Sequence, residues 1–360
     1  MKMKNMGTSD FFSGVTSYLT EGLPGIGGAL KKSPSHFKVI EKMEPVPDRG
    51  EHVSLTCTRS SMTTQEVLKR LALLFSIKNK NLLGHAGLKD KDAITTQTIS
   101  LPLGRNFPLE KVRSTLEESF PELSSIVLQK RETKIKVGEL RGNSFEVLLT
   151  ELNYSSEDAL KKIEPISTRI KELGFPNFYG PQRFGDKGDN AERGKAVWLG
   201  KEKIRSPWLK NFLLNSYQSK LFNQWLSNRV QEGRLHDFLE GDIVLSPGDT
   251  RPFLFGEGRT LTSKERASLT VTGPVFGKKM TLPLGKPLER EEELLRKEGL
   301  SVNELKGFPL YGSRREAWVK VPDLTISLEA DGLLFKMTLP PGAYATSLLR
   351  EFRKPSKLTF

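Results

Sequence analysis

The residues best suited to chemistry lie in Gly84-His85-Ala86-Gly87-Leu88-Lys89-Asp90-Lys91-Asp92-Ala93-Ile94-Thr95-Thr96-Gln97. Asp90 stands between two lysines, in a segment short of large apolar side chains until Ile94 and set between a helical pattern and a strand pattern. Flanking lysines suit a charged carboxylate, the form a nucleophile needs, and they equally suit a backbone phosphate. A solvated turn has the same composition, so charge and spacing alone leave both readings open.

Other chemistries lack their residues. Gly25-Ile26-Gly27-Gly28-Ala29-Leu30 has only part of a dinucleotide-binding loop: the third glycine is missing and no strand precedes it in a βαβ unit. It reads as a flexible approach to the first strand. No GKS or GKT phosphate loop is present. Cys57 is the only cysteine, which excludes an intramolecular disulfide and a cysteine metal cluster. His36, His52, His85 and His236 never fall at the spacing of a helical zinc pair. The expectation is therefore no metal and no cofactor. No run of about 18 apolar residues and no apolar signal core is found, so a soluble, cytoplasmic protein that does not engage membrane is expected.

Lys and Arg number 56 against 43 Asp and Glu, a formal charge of +13. Such a surface concentrates polyanions, and nucleic acid is the first partner to consider. At 360 residues with 36% hydrophobic content, the chain has room for about two domains.

The elements that must position Asp90 follow from periodicity. Phe37 to Glu41 reads as a short strand, and His52 to Thr58 alternates apolar with polar residues as a half-buried strand does. Thr63 and Glu66 form a capping-box pattern ahead of Val67, Leu68, Leu71, Leu74 and Phe75 at helical spacing. Further strands are predicted at Ala93 to Leu101, Thr133 to Gly138 and Phe145 to Leu149, where Phe145, Val147 and Leu149 share a face. Ser156 to Leu173 reads as a helix ended by Gly174, with Pro165 predicted to kink it. Without a repeated βαβ pattern this half predicts an α+β domain on a mainly antiparallel sheet. Gly174 to Gly188 packs glycine, proline and aromatic residues together and marks a domain boundary. Beyond it, Trp208 to Val230 reads as a long helix. Ala330-Asp331-Gly332 is a turn between two strands, and Ala345 to Phe352 a last helix.

Taken together, several blocks closely resemble the TruD family of tRNA pseudouridine synthases. They are Lys31 to Pro34 with Phe37, Val39 and Glu41; Gly87 to Gln97; Leu140-Arg141-Gly142-Asn143-Ser144-Phe145; and Pro176 to Gly185 with Gln182-Arg183-Phe184-Gly185. Tyr217 to Asn223 and Leu339 to Glu351 add support. The resemblance spans nearly the whole chain, and its Lys-Asp-x-x-Ala-x-Thr-x-Gln block is the most specific part.

The resemblance implies a V-shaped pair of domains: a pseudouridine-synthase catalytic domain, residues 1–175 and 312–360, interrupted by an inserted α/β TRUD domain at 176–311. It implies isomerisation of a uridine, at position 13 of tRNA, through covalent attack by Asp90 on ribose or base. tRNA is then the partner, and no protein partner is implied. Lys89 resembles the basic companion of the aspartate, and Lys31 falls on a family lysine near the site. Phe145 resembles the aromatic that stacks on the target base, with Asn143 in the same motif; packing into a core is the competing reading for Phe145. Phe37 is open to stacking or packing, and Glu41 to holding Lys31 or lying on a strand surface. Arg141, Gln182 and Arg183 are candidates for RNA or cleft contacts. His36 departs from the aspartate usual before the phenylalanine, and Tyr344 is expected to fasten the last helix to the catalytic sheet. Two rivals are an RNA-binding protein with an inert site, opposed by Lys89, Asp90, Asn143 and Phe145, and an RNA methyltransferase, opposed by the missing cofactor loop.

Overall fold

A computed structural model of the chain describes residues 12–15, 17–256, 258 and 261–354. They form two compact units. The first, Ile26–Lys161 with Val321–Gly342, opens with β1 (Gly27–Ala29), β2 (Phe37–Lys42), β3 (His52–Ser60), α1 (Thr64–Leu74), β4 (Gly84–His85), β5 (Ile94–Leu101), α2 (Leu109–Ser119), β6 (Ser124–Arg131) and β7 (Gly142–Leu152). Helix α3 (Ser156–Leu173) leads out of it. The second unit holds β8 (Phe175–Pro176), α4 (Asn190–Trp198), α5 (Pro207–Gln231), β9 (Ile243–Leu245), β10 (Phe253–Leu254), α6 (Ser263–Ser268), β11 (Thr270–Val275), α7 (Gly285–Lys297), β12 (Ser313–Glu316) and β13 (Trp318–Val319). The chain returns to the first unit as β14 (Thr325–Glu329) and β15 (Gly332–Leu339), and the last described helix, α8 (Ala345–Arg353), belongs to the second.

The first unit is built on one sheet in the order β14-β15-β7-β2-β5-β3-β6, with β1 on β7 and β4 on β5. β2 and β5 run parallel; the remaining pairs are antiparallel. The fold is thus α+β with a mainly antiparallel sheet. Alternation along β3 sends Val53, Leu55 and Cys57 into a core shared with Val67, Leu68 and Leu71 of α1 and with Val112 and Leu116 of α2. Each fully buried leucine of this kind contributes about 1.5–3 kcal/mol. α1 starts where the Thr63 hydroxyl accepts from Glu66 N while the Glu66 carboxylate accepts from Thr63 N, so both orphan amides are met.

Three sequence readings change. Thr133 to Gly138 is a loop, not a strand: Ile135 turns inward, Val137 is exposed, and the backbone is held by Ile135 N to Ser100 Oγ and Gly138 N to Ala86 O. Its Ile-x-Val spacing imitates a strand over too short a span to form a ladder. Gly27–Ala29, read as a flexible approach, pairs with β7 in the register Gly27↔Leu152 and Ala29↔Thr150. Gly28 fits there because it takes φ 97° and a Cβ would run into the Leu149 side chain. α2 and β6 had no counterpart in the sequence reading. α3 runs from Ser156 to Leu173 through Pro165, and Gly174 follows it at φ 80°.

The unit bounds also differ from the expected cuts at 175/176 and 311/312. Lys162 to Leu173 and residues 343–354 cluster with the second unit, where α8 packs on β8. In that unit α5 buries Tyr217, Leu221, Phe222 and Leu226 in the main core, beside a sheet ordered β10-β9-β11-β12. Among the described residues no helix is long and apolar enough to cross a membrane.

Candidate active site

The site is assembled on neighbouring strands of the first unit. Period-two alternation turns Phe37, Val39 and Glu41 of β2 to the buried face and Lys38, Ile40 and Lys42 away from it. The antiparallel register with β7 sets Val39 opposite Phe145 and Glu41 opposite Asn143. Directly opposite residues share a face, so Phe37, Glu41, Asn143 and Phe145 converge. The Phe37 and Phe145 rings meet edge to face, 6.0 Å between centroids at 72°.

Residues 86–93, between β4 and β5, bring Lys89 and Asp90 to this face. Lys31 reaches it from the turn after β1, where it takes the left-handed conformation at φ 57°. The Lys31 ammonium donates to Asp90 Oδ2 at 2.6 Å and stands 4.5 Å from the Phe37 ring centroid. One aromatic edge, one cation and one carboxylate are therefore in serial contact.

Two carboxylates lie here, and burial separates their possible roles. The Glu41 side chain is 0% exposed, whereas that of Asp90 is 35% exposed. Glu41 Oε2 accepts from Thr98 N at 3.0 Å, and its Oε1 lies 3.0 Å from Lys89 Nζ. The latter contact is an ion pair without an aligned hydrogen bond. Lys89 Nζ also donates to Asn143 Oδ1 at 2.5 Å, with its side chain 8% exposed. Only Asp90 of the two carboxylates can be reached by an incoming molecule. Of the two roles left open for Glu41, neither is found: it is buried and meets Lys89, while Lys31 places its ammonium on Asp90.

A buried polar cluster holds the loop from beneath. Arg59, 2% exposed, donates from Nη2 to Gln97 Oε1 at 2.8 Å and to Thr64 Oγ1 at 3.1 Å, and from Nε to Met62 O. Thr64 Oγ1 in turn accepts from Lys89 N at 2.9 Å. The Gly87 carbonyl accepts from Gln97 Nε2 at 2.7 Å and faces His85 Nδ1 at 3.1 Å, so that ring nitrogen carries the proton. Burial lowers the pKa of Arg59, opposed by nearby Cys57 and Glu41; burial also lowers that of His85, which favours the neutral ring. Sequence reasoning missed Arg59. Its signal was positional, since the alternation Val53, Leu55, Cys57 puts Arg59 next on the inward face.

The remaining candidates are placed elsewhere. Arg141 is exposed ahead of β7 and pairs with Glu44. Gln182 and Arg183 sit in a short 3-10 turn, Pro181–Phe184, of the second unit, where Arg183 Nε donates to Ser219 Oγ at 3.0 Å. Tyr344, also in the second unit, precedes α8 with its ring 6.1 Å from that of Tyr179. His36 ends the turn before β2 and carries a buried Nδ1 with no hydrogen-bond partner among the described residues.

Comparison with known proteins covers nearly the whole chain. The profile of the family "tRNA pseudouridine synthase D (TruD)" matches residues 13–204 and 202–352. A tRNA pseudouridine synthase D of Thermus thermophilus is 35% identical over 343 residues, 95% of this chain and 93% of that one. Another, from an Anaeromyxobacter species, is 32% identical over 346 residues, 93% of this chain and 95% of its own. A crystal structure titled as the putative tRNA pseudouridine synthase D from Methanosarcina mazei shares the fold, with a TM-score of 0.71 at 21% identity over 98% of this chain and 99% of that one.

Proposed function

The chain belongs to the TruD family of tRNA pseudouridine synthases, which are isomerases, and from that membership we propose that it converts a uridine of tRNA, at position 13, to pseudouridine with Asp90 as nucleophile. The observation that carries the assignment of Asp90 is its exposure beside Lys31 and the Phe37–Phe145 pair, while Glu41 is fully covered.

The reaction breaks the N1–C1′ bond, makes a C5–C1′ bond, and moves one proton from C5 while N1 gains one. No electrons or groups enter or leave, so the stoichiometry calls for no cofactor. A covalent bond from an Asp90 oxygen to the nucleoside lets the uracil detach, turn and rejoin through carbon. Lys31 orients the attacking carboxylate. Chemistry at a base requires it out of the stack, and Phe145 offers an aromatic ring against which a flipped uracil can pack. Lys89 grips the Asn143 carbonyl end and so directs its amide donors away from itself, toward a uracil oxygen. The basic surface holds the RNA by its phosphates, and binding weakens as salt rises.

The test incubates the protein, without cofactors, with unmodified tRNA transcripts and maps pseudouridine at single-nucleotide resolution beside Asp90→Asn. Pseudouridine at position 13 from wild type alone supports both reaction and nucleophile. Tight binding with no product on any tRNA would move the reading to an inert RNA-binding protein.

A further inference from the structure

A single exposed apolar side chain is ordinary, but an exposed aromatic stacked on a second ring in a basic segment is a candidate contact surface. Trp208 is 67% exposed, although the chain buries Trp225 and Trp318 and half-buries Trp198. Its setting is Lys201-Glu202-Lys203-Ile204-Arg205-Ser206-Pro207-Trp208-Leu209-Lys210-Asn211-Phe212. Ser206 caps α5 by accepting from Leu209 N, and Pro207 opens the helix, so Trp208 and Phe212 stand one turn apart. Their rings are parallel within 4° at 5.4 Å between centroids. Phe212 thus backs one face of the indole, and Leu209 between them packs into a small core with Leu213, Leu214 and Phe308.

The surroundings are cationic. Lys201, Lys203, Arg205 and Lys210 are exposed, and the one acid among them, Glu202, is taken by Arg193 at 2.7 Å. Leu310, from the same small core, precedes a second exposed aromatic, Tyr311, which has Lys278 at 4.6 Å and Lys279 at 5.6 Å from its ring. Flat aromatic faces amid positive charge are what a single-stranded nucleic acid meets on its binding proteins: bases stack while phosphates find cations. An anionic membrane would share the charge, but on the first turn of α5 Leu209 is turned to the core and Lys210 and Asn211 are exposed, so the apolar surface on offer is one indole with its Phe212 backing and not the continuous stripe of an inserting helix.

We propose that Trp208, backed by Phe212 and flanked in the chain by the exposed Lys201, Lys203, Arg205 and Lys210, is a stacking platform for an unpaired base of the RNA substrate. The proposal rests on the reading that this substrate is tRNA. Unpaired bases occur in tRNA loops and at its end, so the platform gives the second unit its own contact with the RNA.

The experiment compares wild type, Trp208→Ala and Trp208→Phe for affinity toward unmodified tRNA, toward a blunt-ended, fully paired RNA duplex and toward phosphatidylcholine–phosphatidylserine vesicles, with steady-state kinetics on the tRNA. Trp208→Ala should weaken tRNA binding by about 5- to 150-fold, the range one base stacked on one ring supports. The loss should appear in KM rather than kcat, Trp208→Phe should restore most of it, and duplex affinity should stay put. Indole fluorescence should be quenched by tRNA. Unchanged tRNA affinity in Trp208→Ala, an equal loss on the duplex, or a response to vesicles without one to tRNA would each overturn the platform. Wild type making pseudouridine in the face of such a result leaves the enzymatic reading intact; wild type making none strikes that reading instead.

Discussion

Replacing Glu41 by glutamine removes one charge from a buried pair while keeping the shape and an acceptor for Thr98 N. Lys89 Nζ lies 3.0 Å from Glu41 Oε1, and the two side chains are 8% and 0% exposed. With an effective dielectric constant of about 20, attraction at that distance is about 5–6 kcal/mol, and removing one partner of a buried pair costs about 3–5 kcal/mol. Glu41→Gln should therefore lose about 3–5 kcal/mol, because the Lys89 ammonium then has Asn143 alone against the cost of burial. Lys89→Met should lose a similar amount by leaving the Glu41 carboxylate uncompensated. The double variant has no orphan charge and should fall well short of the sum, with a coupling of about 3 kcal/mol. Urea unfolding of the four proteins at neutral pH, read by midpoint at constant slope, completes the cycle. Additivity within about 0.5 kcal/mol would refute the claim that this pair is a coupled, desolvated unit of the site.

Three further outcomes are expected. Asp90→Asn should abolish turnover and keep tRNA affinity within about threefold, because an amide of the same shape replaces the proposed nucleophile; equal loss of binding in a filter assay would make Asp90 an RNA contact instead. Thr64→Val strips the acceptor from Lys89 N and Arg59 Nη2, so kcat should drop by about tenfold or more with KM little changed, since an unmet buried donor costs about 1–3 kcal/mol; Thr64→Ser should recover, and a serine variant as slow as valine would dismiss the hydroxyl. Burial pushes the Cys57 thiol up to about 11 from 9.0. From about pH 9 to 11 the unfolded chain sheds a proton that the folded chain keeps, so stability is full below 9 and declines across that window by about 1.4 kcal/mol per unit. Cys57→Ala should flatten that part of the stability curve, and identical slopes for both proteins would clear the thiol.

Much of the site was legible because its signals are local. Lys89-Asp90-Lys91 is contiguous, the strand alternation that puts Phe145 on the inward face has period two, and the capping box before α1 spans four residues. The charge balance needs no structure at all. Thr133 to Gly138 shows the limit, since Ile135 and Val137 satisfy the strand period yet only Ile135 finds a neighbour to pack against. Which lysine serves which acid could not be read from the chain: Lys31 meets Asp90 across 59 positions, and Lys89 meets Glu41 only once the loop after β4 lies over the β2–β7 face. Arg59 was likewise visible as an inward-facing position, but its partners Thr64 and Gln97 are gathered by the cap of α1 and the pairing of β3 with β5. The sequence by itself determined the residue types, the periodicities and the family. Tertiary structure decided which charges pair and which carboxylate stays open to a substrate, because pairing and desolvation are properties of long-range packing.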